Sequence, residues 1–146
     1  MYNKHMSGLT RICEGGSVRD TPEGKLEYFG FMHPLCDYSF AKYMNKHRVL
    51  ADGSLRDSDN WWKGFGKKVL IQSLTRHVED LKLLHSGYHV YERREGNIAE
   101  RLVYKDKLEP IPKNTIEITI EECLNAIRFN ADSYKLEHLR EEGIAK

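Results

Sequence analysis

The sequence predicts an all-α fold: a helical bundle with an irregular N-terminal arm and a small β-hairpin inserted between the last two long helices. Three observations predict it. Apolar residues recur three and four apart over two long stretches, the stripe of an amphipathic helix. A proline at position 34 opens a third such stretch, and Thr119-Ile120-Glu121-Glu122 reads as a capping box. The β-prone runs are few and short.

Residues 1–32 hold Gly8, Gly15, Gly16, Pro22 and Gly24 among polar residues and follow neither period, so an irregular arm is expected there. Residues 33–86 should hold two helices and a structured loop. In the first helix, about 34–49, Leu35, Tyr38, Ala41 and Met44 follow Pro34 at helical spacing. The loop is Arg56-Asp57-Ser58-Asp59-Asn60-Trp61-Trp62-Lys63-Gly64, too polar and glycine-flanked to be regular. The second helix starts near Lys67, repeats Leu70, Leu74, Val78, Leu81 and Leu84, and stops at Gly87. Residues 87–115 read as the hairpin insertion, with runs at 88–92 and 101–104 around Glu95-Gly96-Asn97. After Pro110 and Pro112 the last helix, 119–143, should turn Leu124, Ile127, Ala131, Tyr134 and His138 inward, with Gly143 as its αL cap.

At 146 residues the chain is the size of a single domain, able to bury roughly two-thirds of its unfolded surface. Hydrophobic residues make up 40% and charged residues 31%, and the mean hydropathy of -0.64 points to a thin core that a homo-oligomer, dimer or tetramer, would supplement. Lys plus Arg (23) nearly cancels Asp plus Glu (22), so no global field draws the chain to nucleic acid or membrane, although Lys42, Lys46, Arg48 and Arg56 form a local basic strip. Cys13, Cys36 and Cys123 are odd in number and lack metal-ligand spacing, as expected of reduced thiols in the cytoplasm. The first twenty residues hold no apolar leader pattern, and no run approaches the roughly 18 apolar residues of a membrane span.

Two helices carry polar side chains close to the apolar stripe. His77 and Asp80 are three apart on one, and Glu121 or Glu122 with Asn125 three or four apart on the other, so each pair shares a face. Antiparallel packing would gather their carboxylates into an oxygen-rich pocket suited to Mg²⁺ and a substrate phosphate. The competing reading is that acidic residues in a first helical turn serve the helix dipole alone. His77, His85 and His89 straddle the break at Gly87 and make a poor zinc set, and Asp57, Asp59 and Asn60 lack the rest of a calcium loop. Trp61 and Trp62 can stack a base, with Arg56 and Lys63 nearby for phosphates; one tryptophan buried as a core anchor is the alternative.

The order Glu23-Gly24-Lys25, Arg56 to Gly64, Leu74-Thr75-Arg76-His77 and Glu121-Glu122-Cys123-Leu124-Asn125-Ala126 resembles the phage-borne dATP/dGTP diphosphohydrolase-like family, itself similar to the MazG-like all-α nucleotide pyrophosphohydrolases. The likeness covers about 19–140 without 87–115. That superfamily pairs E-x-x-E on one helix with E-E-x-x-D on the next. Here the halves read His77-x-x-Asp80, with Glu79 adjacent, and Glu121-Glu122-x-x-Asn125. Both departures remove negative charge, which weakens Mg²⁺ binding and water activation. The resemblance implies Mg²⁺-dependent hydrolysis of nucleoside triphosphates to monophosphate and pyrophosphate. Asp80, Glu121, Glu122 and Asn125 would hold the metal, and His77 would bond phosphate or act as base. Lys25, Arg56, Lys63 and Arg76 would neutralise phosphate, Asn60 would lie in the substrate pocket, and Trp61 or Trp62 would face the base. The charge loss equally fits a non-catalytic protein that binds or sequesters a nucleotide.

Overall fold

The computed structural model describes residues 10–146, so the first nine residues of the expected arm, Gly8 among them, lie outside the described residues. The chain divides into two compact units, 1–34 and 35–146. The first is not wholly irregular. Strands β1 (Thr10–Ile12) and β2 (Val18–Asp20) pair antiparallel in the register Arg11↔Arg19. Three residues per strand are too few to display a period of two, which is why the pattern stayed hidden.

In the second unit α1 (Pro34–Lys46) and α2 (Lys67–His85) lead into β3 (His89–Glu95), β4 (Ile98–Tyr104), β5 (Thr115–Ile118) and α3 (Ile120–Glu141). The three strands form one antiparallel sheet in the order β4-β3-β5. This corrects the all-α expectation: the fold is mixed α and β, with three α-helices and two antiparallel sheets among the described residues. The hairpin does turn where expected, with Gly96 (φ 60°) at the first position of a two-residue turn that requires a positive φ. It is not an excursion, because β5 docks on its free edge and pairs Val90 with Ile118. Val90 and Tyr91 are fully buried and Ile118 nearly so, so the sheet holds half of the buried apolar side chains among the described residues. Tyr91 packs edge-on to Tyr104, and its hydroxyl accepts a hydrogen bond from the Leu108 amide at 2.9 Å. Tyr91→Phe strands that amide and should cost about 1–3 kcal/mol, read as a lower urea midpoint at unchanged m-value.

The helices lie close to their expected bounds. Thr119 caps α3 by accepting from the Glu122 amide at 3.1 Å. The other arm of the expected capping box is absent: the Glu122 carboxylate takes Lys46 at 3.2 Å instead. Gly143 (φ 74°) ends the helix as an αL cap, with the Ile144 amide returning to the Leu139 carbonyl. α2 and α3 run antiparallel, because Lys67 meets Glu141 at one end while the Cys123 thiol donates to the His77 carbonyl towards the other. The inward face of α3 differs from the expected stripe. Cys123, Ala126, Asn130 and Ser133 are buried, while Leu124, Ala131 and His138 are exposed. Three of these four side chains are small, and Asn130 meets its hydrogen-bonding need inside the helix by donating to the Ala126 carbonyl at 2.8 Å.

Candidate functional site

Two adjoining cavities lie in the second unit. The smaller, about 240 Å³, is walled by Tyr43, Met44, Trp61, Phe65 and Phe129, with His47, Arg56, Asp57 and Asn60 at its polar side. Its walls come from α1, from the 3-10 turn Asn60–Lys63 and from α3. Trp61 and Phe65 both meet Phe129 edge-to-face, at 6.2 and 6.1 Å, which fixes the rings without stacking any two face to face. That leaves ring faces for a guest. The cavity falls below the ~300–1,000 Å³ of drug-sized sites and suits one planar heterocycle.

The larger is a groove of about 1090 Å³ between α1, α2, the start of α3 and one face of the sheet. It shares Tyr43, His47 and Arg56 with the aromatic cavity. Strand alternation supplies the sheet side: Glu92 and Arg94 of β3, Ala99 and Arg101 of β4, and Ile116 and Ile118 of β5 lie on one face. Five cations line it, Lys46, Arg56, Arg76, Arg94 and Arg101. Arg101 joins Asp80 at 3.2 Å and Glu92 at 3.5 Å, Arg94 joins Glu92 at 3.4 Å, and Lys46 joins Glu122 at 3.2 Å. Arg56 and Arg76 have no carboxylate partner among the described residues. Two guanidiniums are thus left to meet an anion.

The neighbouring titratable groups are set for the same environment. Burial, reinforced by Lys46, Arg94 and Arg56, holds the His47 imidazole below its ordinary value against the pull of Glu122, and His77 is lowered chiefly by burial despite Asp80. Burial, with Glu122 and Cys123 adding to it, pushes the Tyr43 phenol up to about 12, so it remains a hydrogen-bond donor. Burial lifts the Cys123 thiol to about 11, which makes it a packing residue.

Of the residues singled out in the sequence, Arg56, Asn60 and Trp61 meet in the aromatic cavity, and Arg56, Arg76, His77, Asp80 and Glu122 line the groove. Trp62 is 53% exposed and lines neither, nor does Lys63. Lys25 is exposed in the first unit. The expected Mg²⁺ ligands are divided among other partners. Asp80 takes Arg101, Glu122 takes Lys46, Glu121 accepts from the Ser39 hydroxyl at 2.6 Å, and the Asn125 amide donates to the Ser39 hydroxyl at 3.0 Å. Among the described residues no three His, Cys, Asp or Glu side chains gather as a metal site. The residues do not fit Mg²⁺ as arranged.

Sequence reasoning missed Tyr43, His47, Phe65 and Phe129, which meet only through tertiary packing, and also Arg94 and Arg101, whose hairpin reads as peripheral. No helix among the described residues is long and apolar enough to cross a membrane. Comparison with known proteins finds no matching family model, no matching curated protein and no matching solved structure. Nothing in those comparisons supports the hydrolase activity or the phage origin that the resemblance implies, and the all-α bundle it implies is not the fold this chain adopts.

Proposed function

We propose that the protein binds a nucleotide without hydrolysing it, the base seated in the Trp61 cavity and the phosphates lying over Arg56 and Arg76 in the groove. One observation carries the reading. An aromatic slot and a cationic groove share a wall at Arg56, and each groove carboxylate already has a cation, so the two spare charges are positive. Arginine forks match phosphate oxygens, and an aromatic face is worth about 1–3 kcal/mol to a stacked base. Retention without turnover follows from the occupied carboxylates. Asp80, Glu92 and Glu122 serve cations of this chain instead of a metal or a water.

Calorimetric titration with a nucleoside, its mono-, di- and triphosphates and inorganic tripolyphosphate, each with and without EDTA, tests the reading. Nucleotides should bind more tightly than either the nucleoside or tripolyphosphate, and EDTA should leave the affinity unchanged. Equal affinity for nucleotide and tripolyphosphate would remove the base from the account.

A bound phosphate beside His47 favours the imidazolium. Because His47 and His77 titrate below 6.5, the unfolded chain takes up protons first as pH falls below that value. The stability of the free protein should therefore fall over that window, while nucleotide affinity rises over it with proton uptake. Urea midpoints at pH 7.5 and 5.5, with titrations in buffers of different ionisation enthalpy, measure both trends.

A further inference from the structure

The turn that carries Trp61 is fastened to α3 at two places, and only one of them is aromatic. Phe129 receives Trp61 and Phe65 edge-to-face at 6.2 and 6.1 Å. About two turns further along α3 comes Glu137, whose Oε1 accepts from the Gly66 amide at 2.9 Å. Gly64 runs against the same oxygen: a Cβ there would stand 3.1 Å from it, at a φ of 93° that side chains rarely adopt. The Gly64 amide in turn donates to the Trp61 carbonyl at 3.1 Å and closes the 3-10 turn. Phe65 therefore lies between two glycines seated on one carboxylate.

The residues around Gly66 explain why that carboxylate comes from α3. Gly66 caps α2 without a side chain, and the first turn of α2 holds no acidic residue. Its amide would otherwise be an unpaired donor at the positive end of the helix dipole. In a capping box a Glu three residues on would take that amide; here the position is Val69. The second oxygen of Glu137 is buried with no hydrogen-bond partner among the described residues, as is the Ser133 hydroxyl one turn before it. That unpaired oxygen costs stability, whereas the paired one fixes where the turn sits. Glu137 lines neither cavity, so it acts through the turn and not on a ligand.

We infer that Glu137 is the positioning residue of the aromatic slot, setting Gly64 and Gly66 and through them the rings of Trp61 and Phe65 against Phe129. The seating follows from these contacts alone; its effect on affinity rests on the nucleotide reading. Trp62→Phe, which leaves Trp61 as the only tryptophan, is the background for the test. Adding Glu137→Ala should red-shift Trp61 emission and raise its quenching by acrylamide with no ligand present. The same change should weaken nucleoside binding about tenfold, near the lower end of what a stacked base contributes, and leave inorganic tripolyphosphate affinity where it was. Glu137→Gln keeps an acceptor for the Gly66 amide and should restore both. In the unmutated chain the Gly66 amide should exchange slowly with deuterium, which keeps the test open if Glu137→Ala fails to fold. Trp61 emission and quenching that ignore Glu137→Ala, a Gln variant that behaves as the Ala one, equal losses for nucleoside and tripolyphosphate, or a Gly66 amide that exchanges as fast as an unbonded one overturns the proposal. If the emission shifts but the parent chain binds no nucleoside, Glu137 still seats the turn and it is the nucleotide reading that falls.

Discussion

Arg101→Ala should destabilise the fold by about 3 kcal/mol, the largest stability change expected of any side chain at the groove. Asp80, at 5% exposure, has this guanidinium as its arginine partner, and Glu92, at 9%, shares it with Arg94. Removing it leaves the Asp80 carboxylate, barely exposed to water, beside a histidine whose pKa burial lowers, and leaves Glu92 with Arg94 alone. The value sits at the lower edge of the range for breaking a buried pair because the Arg101 side chain is itself 36% exposed. Asp80→Asn in the Arg101→Ala background should recover part of the loss, since one stranded charge is gone. Urea denaturation of the four chains of that cycle measures the coupling. Additive losses would mean that Asp80 does not depend on Arg101, and the argument that assigns this carboxylate to structure would fail with it.

Arg56→Ala should weaken nucleotide binding about 10- to 100-fold, as expected for loss of a charged hydrogen bond to phosphate worth about 1.5–3 kcal/mol. Trp61→Ala should cost about as much by removing the stacking face. The two act on different parts of the ligand and so separate by substrate. Arg56→Ala should hardly alter nucleoside affinity, and Trp61→Ala should hardly alter tripolyphosphate affinity. Both residues lie on the 48–66 loop, whose exposed bridge Val49↔Leu55 and 3-10 turn carry little of the core, so folding should survive either change. Trp62→Ala should bind as wild type does, because that ring lines neither cavity.

The helices were legible because their signals are local: Pro34, the apolar period of α2, the Thr119 cap and Gly143 each act within a few residues. The sheet was not. β5 is four residues, Thr115-Ile116-Glu117-Ile118, too short to show alternation, and only its pairing with β3 makes the hairpin part of the core. β3 itself reads as polar because Glu92 is buried against Arg101, a compensation that the sequence cannot display. The same partner explains the fate of Asp80. Its spacing from His77 suggested a metal ligand, and the cation it meets arrives from a strand that spacing could not place. On α3 the period was right and the face was off by one residue, since pattern reading assigns the most apolar stripe to the interior. Arg56, Asn60 and Trp61 were visible as an aromatic and basic loop, whereas Phe129 and Tyr43 complete the slot from helices distant in sequence.

The fluorescence of Trp61 reports on the central claim most directly. The chain has two tryptophans, so Trp62→Phe leaves Trp61 as the sole tryptophan, excited selectively at the red edge where the tyrosines do not absorb. Nucleotide binding in the aromatic cavity predicts saturable quenching and a spectral shift on titration with a nucleoside triphosphate in EDTA, lost in the added presence of Arg56→Ala at the same concentrations. Emission that stays constant to millimolar nucleotide, while calorimetry on the same sample registers no heat, would contradict the account.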